Sequence, residues 1–187
     1  MRARVVTLLG VVAVMAALTG CKRDPIEDLS DQLESLKLEE RLAAIEELKN
    51  FAVETEDERA IELLIEALET DEDVTEQAGN ALVVVGRALK DPKEKPDKVP
   101  ELLARTLANS HLESAVRAKA AWALGEIGDR EAIPALKAGK SAVDAKGAAA
   151  GDVRTASAIA LEKLGYTTKA SDWEIPPGGE RPEKTDA

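Results

Sequence analysis

The chain has 187 residues, a formal net charge of −11 and only 2% aromatic residues. Alanine and leucine dominate with 32 and 22 copies, so strong helix formers are abundant and strand formers are scarce. This composition excludes a β-sandwich or barrel, and the single cysteine excludes a disulfide scaffold. The negative charge disfavours sustained binding to DNA or RNA. The sequence therefore predicts an all-α protein that binds no nucleic acid.

Residues 1–20 have the layout of a signal peptide. Two arginines precede an uncharged apolar run from Val5 to Leu18, which is too short to cross a bilayer comfortably. The run ends at Leu18-Thr19-Gly20-Cys21, which resembles the lipobox of bacterial lipoproteins. That resemblance implies cleavage before Cys21 and attachment of acyl chains to its sulfur and its new α-amino group. The alternative is an ordinary signal peptide whose cleavage site lies near a cysteine.

The resemblance to lipoproteins also implies a location. In the enterobacterial sorting pattern, an Asp directly after the lipidated cysteine favours retention in the inner membrane, and here Lys22 follows Cys21. We therefore expect a lipid-anchored protein of the bacterial cell envelope. It would lie on the periplasmic side of the outer membrane if the source is Gram-negative.

Charge is unevenly distributed after Cys21. Residues 24–73 carry 19 acidic and 4 basic residues, whereas residues 74–187 carry 17 of each. One interpretation is a set of solvated helix faces that keep the domain soluble and away from an anionic lipid surface. The other is an acidic face for a basic partner.

Four segments align without gaps, beginning at Lys37, Val74, Val116 and Val153. Their starts lie 37, 42 and 37 residues apart, a period that indicates an α-solenoid. The shared small and apolar positions fall on one side of a helix, and an apolar stretch precedes each segment. Residues 24–166 are therefore predicted to form four helical hairpins.

Two further details of the hairpins can be predicted. Three glycines follow the last core residue of their segments, where a helix ends with a left-handed residue: Gly86, Gly128 and Gly165. Apolar residues upstream of the first segment are expected to supply its partner helix: Ile26, Leu29, Leu33 and Leu36.

The segment Ala120-Ala-Trp-Ala-Leu-Gly-Glu-Ile-Gly-Asp129 resembles the second helix of a HEAT repeat, of the short type first noted in phycobilisome lyases. The Val153 segment is similar, whereas the Val74 segment has Gly79 in place of the usual Ala. The resemblance implies an α-solenoid of about four HEAT-like hairpins over residues 21–166, which acts by presenting a surface. Residues 167–187 are rich in Pro and Gly and are predicted to be a disordered tail.

Catalytic and metal-binding patterns are not evident. His111-Leu112-Glu113 matches the short His-x-Glu element of zinc deaminases, but the sequence lacks the paired cysteines that complete such a site. Asp57 and Asp71 lie at predicted helix starts, where helix capping explains them without calcium. We therefore expect no catalytic residues, no metal and no cofactor, and the protein is not predicted to be an enzyme.

A candidate partner-binding face lies opposite the core positions of the second helices. The HEAT resemblance implies that these helices line the concave surface of the solenoid. Trp122 has a simpler interpretation as well, because it could pack over the neighbouring helix. The predicted partner-binding residues are Asn80, Val84, Lys119, Trp122, Glu126, Ile159 and Lys163.

These expectations define a membrane-anchored, non-catalytic interaction or scaffold module that recruits an unknown envelope protein or peptide. The resemblance to lyase-type repeats leaves a second function, an accessory for chromophore attachment. A third is a structural envelope protein with no dedicated ligand.

The lipobox interpretation predicts that Cys21→Ser leaves the precursor unprocessed by the lipoprotein pathway and without acyl chains, because the sulfur is the attachment atom. Mass spectrometry of the purified protein shows whether it is processed and carries acyl chains. Fractionation shows whether it associates with the membrane. Normal maturation and membrane association of the Cys21→Ser protein would contradict the lipobox interpretation.

Overall fold

A computed structural model describes residues 24–90, 98–143, 147 and 150–166. The predicted signal peptide, the lipidation site Cys21 and the predicted tail at residues 167–187 lie outside the described residues. These three therefore remain predictions from the sequence.

Eight α-helices and two short 3₁₀ helices account for most of the described residues. The 3₁₀ helices, Ala67–Glu69 and Arg130–Ala132, lie next to the third and seventh α-helices. The α-helices are α1 (Pro25–Leu33), α2 (Leu38–Thr55), α3 (Glu58–Glu66), α4 (Glu72–Ala88), α5 (Lys98–Ala108), α6 (Ser114–Ile127), α7 (Ile133–Gly139) and α8 (Gly151–Lys163).

The helices form two layers. Each odd-numbered helix packs against the even-numbered helix that follows it, which gives four hairpins. The second helices α2, α4, α6 and α8 contact one another in order, and so do the first helices α1, α3, α5 and α7. The described chain is thus all-helical and has the hairpin stacking of an α-solenoid, which confirms the predicted fold class.

Leucines at one repeat position form the centre of the core. Leu82, Leu124 and Leu161 occupy the same position of their segments and are completely buried. Burial of one such side chain contributes about 1.5–3 kcal/mol to folding. Further completely buried side chains come from both layers and include Leu48, Ile61, Leu64, Leu103, Leu107 and Leu136. The predicted inward-facing side of the second helices is therefore confirmed.

Aspartates begin three of the α-helices. The side chains of Asp24, Asp57 and Asp71 accept hydrogen bonds at 3.0–3.3 Å from backbone N–H groups two or three residues later. These bonds satisfy backbone N–H groups that have no partner within the helix. The negative carboxylate also interacts favourably with the positive end of the helix dipole. The interpretation of Asp57 and Asp71 as helix caps is confirmed.

The glycine prediction is confirmed at two positions and wrong at one. Gly128 and Gly165 have φ values of 77° and 75°, the left-handed conformation that ends a helix. Gly86, in contrast, lies inside α4, which continues beyond it. A Cβ atom on Gly86 would lie 2.6 Å from Cδ1 of Ile127, so this glycine makes room for the neighbouring second helix.

The first hairpin differs from its prediction in two ways. Helix α2 runs from Leu38 to Thr55, and Glu56 takes the left-handed position with φ of 57°, although no glycine was predicted to end this segment. Leu36 does not pack against the first segment: it is fully exposed, because α1 ends at Leu33 and Leu36 falls in the connection to α2. Ile26 and Leu29 are buried as predicted.

Arg117 is a buried charged residue whose role was not predicted from the sequence. Its side chain is almost completely buried on α6. Its Nε donates to the carbonyl of Leu107 at 3.0 Å, and its Nη1 donates to the carbonyl of Val143 at 2.8 Å. Arg154 of α8 adds a bond from Nε to the carbonyl of Ala142 at 3.0 Å. The two arginines thereby hold the segment that follows α7 against the helices around it.

The second helices approach one another closely. A Cβ atom on Gly125 of α6 would lie 2.8 Å from Cα of Ala160 on α8, so the two backbones are in direct contact there. Neighbouring second helices contact each other more extensively than neighbouring first helices do.

The contact at Gly125 predicts that Gly125→Ala lowers the free energy of unfolding by about 1–3 kcal/mol, because the added methyl group must push α6 and α8 apart. The matched control is Gly151→Ala, since a Cβ at the start of α8 has no neighbour within 4 Å. Urea unfolding compares the two variants. Equal stability of both would contradict the close approach.

Candidate binding face

The structure brings the seven predicted face residues onto three adjacent helices. Asn80 and Val84 lie on α4, Lys119, Trp122 and Glu126 lie on α6, and Ile159 and Lys163 lie on α8. Helix α6 contacts both α4 and α8. With Arg87 of α4, whose contacts are given below, these residues define the surface that we call the second-helix face.

Two aliphatic side chains of the face are open to solvent. Val84 is 48% exposed and Ile159 is 49% exposed, although both lie on helices whose opposite sides are completely buried. Among the described residues, only a few large apolar side chains are exposed to this degree. Neither side chain contributes to the core, so the fold itself does not require apolar residues there.

Trp122 is half-buried. The sequence left open whether it packs over a neighbouring helix or is available to a partner, and its position allows both. Part of its side chain packs against the core. The Lys119 ammonium lies 4.3 Å from the centre of the indole ring, a cation–π arrangement. The indole is therefore partly covered by its own helix and partly available at the surface.

Gly79 explains how Lys119 takes this position. A Cβ atom at Gly79 of α4 would lie 2.5 Å from Cε of Lys119, so the lysine chain crosses the α4 backbone where glycine leaves room. Glycine in place of the usual alanine at position 79 therefore has a packing role. It lets Lys119 of α6 pack against α4.

An ion-pair ladder joins the three helices of the face. The Glu126 carboxylate of α6 pairs with Lys163 of α8 and lies 3.5 Å from Nη2 of Arg87 on α4. Nε of Arg87 also donates to the backbone carbonyl of Glu126 at 2.9 Å. Glu126 and Lys163 were predicted from the sequence, whereas Arg87 was not, although it lies three residues after Val84 and thus on the same side of α4.

The face differs in charge from the rest of the protein. Its ladder and cation–π pair contribute three cations, Arg87, Lys119 and Lys163, and one carboxylate, Glu126. The whole chain carries a formal charge of −11. A surface that combines apolar side chains with excess positive charge favours a ligand with apolar and acidic groups.

Residues 24–73, the acidic part of the chain, also form a concave surface. A shallow groove of about 450 Å³ lies between α1 and α3 and is lined by Ile26, Glu27, Ser30, Asp31, Arg59, Glu62, Leu63 and Glu66. Acidic side chains outnumber the single arginine in this lining. The basic-partner interpretation of residues 24–73 stays a prediction, and this groove is one place where acidic side chains gather.

Arg59 ties the two helices of this groove together. Its guanidinium binds Asp24 at 2.5 Å and Asp57 at 2.8 Å, the residues that cap α1 and α3. Hydrogen bonds from Arg59 hold the pKa values of both carboxyls below their usual range. Both carboxyls therefore stay charged below the pH at which an ordinary aspartate is protonated. The stabilisation that they give is complete above the usual pKa of aspartate and is lost as the pH falls through their lowered pKa values.

His111 belongs to the one motif of the sequence that resembles part of a metal site, His111-Leu112-Glu113. His111 lies in the turn between α5 and α6, where its backbone N–H donates to the Asn109 side chain at 3.1 Å. Over residues 24–90, 98–143, 147 and 150–166, no cluster of three or more His, Cys, Asp or Glu side chains is placed to hold a metal ion. None of the helices described there is both long and apolar enough to span a bilayer.

The comparison with protein families agrees with the repeat found in the sequence. The family model described as PBS lyase HEAT-like repeat matches residues 116–141, which comprise most of α6, all of α7 and the start of the connection that follows. No curated protein sequence matches the chain. The chain thus contains a HEAT-like repeat at α6 and α7, within a helical stack of the same architecture.

Proposed function

We propose that this protein is a lipid-anchored, non-catalytic interaction module of the cell envelope. Its second-helix face recruits a protein or peptide, and Cys21 tethers the module to the membrane. The observation that carries the proposal is the half-exposed state of Val84 and Ile159, on the two helices that flank the helix of Trp122, at positions where the core requires no apolar residue. Partners use such apolar anchor points, with charged groups around them, as binding hot spots.

The contacts among the side chains of the face support binding. Lys119 is held between α4 and the Trp122 ring, and Glu126 is held by cations from both neighbouring helices. A partner therefore meets side chains that are already positioned, which reduces the entropy lost on binding. HEAT-like stacks act mainly through extended surfaces of this kind.

The lipobox supports the membrane tether. Several acyl chains on Cys21 would bury many methylene groups at about 0.8 kcal/mol each, enough for stable anchoring. Helix α1 begins at Pro25, four residues after Cys21, so the acidic first hairpin would lie next to the membrane. The face on α4, α6 and α8 would then lie farther from the lipid, where a partner can reach it.

The matched family gives a second candidate function. Its description names the PBS lyases, so an accessory role in chromophore attachment is equally compatible with the repeat. A lipid-anchored protein outside the cytoplasm would be separated from such substrates, which is why we favour the interaction module. Visible absorbance in the purified protein would favour the lyase-like role, and a colourless preparation would favour the module.

The interaction module predicts that Trp122→Ala combined with Ile159→Ser abolishes capture of the partner and leaves the fold intact, because both side chains lie outside the core centre. Cross-linking in intact cells, followed by mass spectrometry, identifies the captured protein. Titration of that purified protein then measures affinity, and circular dichroism checks the helical content of the variant.

The matched control is Leu36→Ser combined with Val53→Ser, which removes exposed apolar area outside the second-helix face. It should leave capture unchanged. Capture that survives in the folded Trp122→Ala/Ile159→Ser protein would contradict the proposal. A captured protein whose binding does not saturate would instead support a structural envelope protein with no dedicated ligand.

A further inference from the structure

The cations of the second-helix face are not fully neutralised. Glu126 is shared between Arg87 and Lys163, so two cations have one carboxylate between them. Lys119 pairs with the Trp122 ring, and no described carboxylate lies within ion-pair distance of its ammonium. The three helices of the face therefore carry two unmatched positive charges, a partly open indole and two half-exposed aliphatic side chains.

A complementary ligand would place carboxylates directly beside an aromatic or aliphatic group. The chain itself contains such a segment, Asp172-Trp173-Glu174-Ile175. Its tryptophan and isoleucine match the apolar part of the face, and its two carboxylates match the two unmatched cations. The remaining tryptophan of the chain is Trp122, on the face itself.

The position of this segment in the chain brings it within reach. Helix α8 ends at Lys163, and the backbone N–H of Tyr166 donates to the carbonyl of Leu161 at 2.9 Å, so residues up to 166 stay close to the end of α8. Seven further residues lead to Trp173 and can span up to about 23 Å. Ile159 lies seven residues back along α8, about 10 Å.

The neighbouring helix is also within that span. Packed helices have axes about 8–10 Å apart, so Trp122 on α6 lies well inside the reach of Trp173. A segment tethered this closely has an effective concentration in the millimolar range, which allows even a weak contact to form.

We infer that residues 172–175 dock on the second-helix face of the same molecule. Trp173 packs beside Trp122 and Ile159, and the carboxylates of Asp172 and Glu174 lie near Lys119 and Lys163. The inference concerns the face used in the proposed function but requires no partner. A partner that binds this face must displace the segment, so the docked tail lowers the partner's apparent affinity.

Photo-cross-linking within the purified full chain tests the inference. Trp173 is replaced by the photoreactive residue p-benzoylphenylalanine, and the products are mapped by mass spectrometry after irradiation. We expect intramolecular products on α4, α6 and α8, with a yield several-fold above that of the same photoreactive residue placed at Lys184. Combined Lys119→Gln and Lys163→Gln substitution and high salt should each reduce the yield several-fold.

The matched control is Lys37→Gln with Lys49→Gln, two lysines of the first hairpin, which should not change the yield. Equal yields at positions 173 and 184, products between two copies, or products mapped to the α1–α3 groove would each overturn the inference. None of these results depends on a partner. Failure of tail docking is therefore distinguishable from failure of partner capture in cells.

Discussion

The backbones of α6 and α8 come into direct contact at Gly125 and Ala160, where a Cβ on the glycine would lie 2.8 Å from the alanine Cα. Small residues serve the same purpose between α4 and α6, where Gly79 admits Lys119 and Gly86 admits Ile127. These approaches bring the second helices closer than side-chain packing alone would allow. Because the helices are fixed relative to one another, ion pairs and the cation–π pair can form across them.

Most of the fold could be predicted from the sequence because the repeat position of each leucine determines which side of its helix is buried. Gly86 shows where that reasoning fails. A glycine after a core residue has the same local pattern whether the helix ends there or a neighbour needs space, and only the position of Ile127 decides between them. The prediction that Leu36 packs against the first segment was wrong for a related reason, since the apolar character of a residue does not reveal where α1 ends.

The candidate face was predictable in outline because it is the side of the second helices opposite the core. Arg87 was not found, since its partner Glu126 lies 39 residues away in the next repeat and local spacing does not show such a pairing. Arg117 was missed for the same reason: its two acceptors lie on other elements. The interactions that shape the face are thus mainly contacts between repeats, whereas the sequence pattern describes single helices.

Hydrogen exchange of the backbone amides tests most directly the claim that closely packed second helices form one rigid unit that presents the face. Helix α6 contacts α4, α5 and α8, so its amides should be the slowest to exchange, with α4 and α8 opening together with it. The peripheral helix α1 should exchange earlier. Exchange of α6 as fast as that of α1, or independently of α4 and α8, would contradict the account.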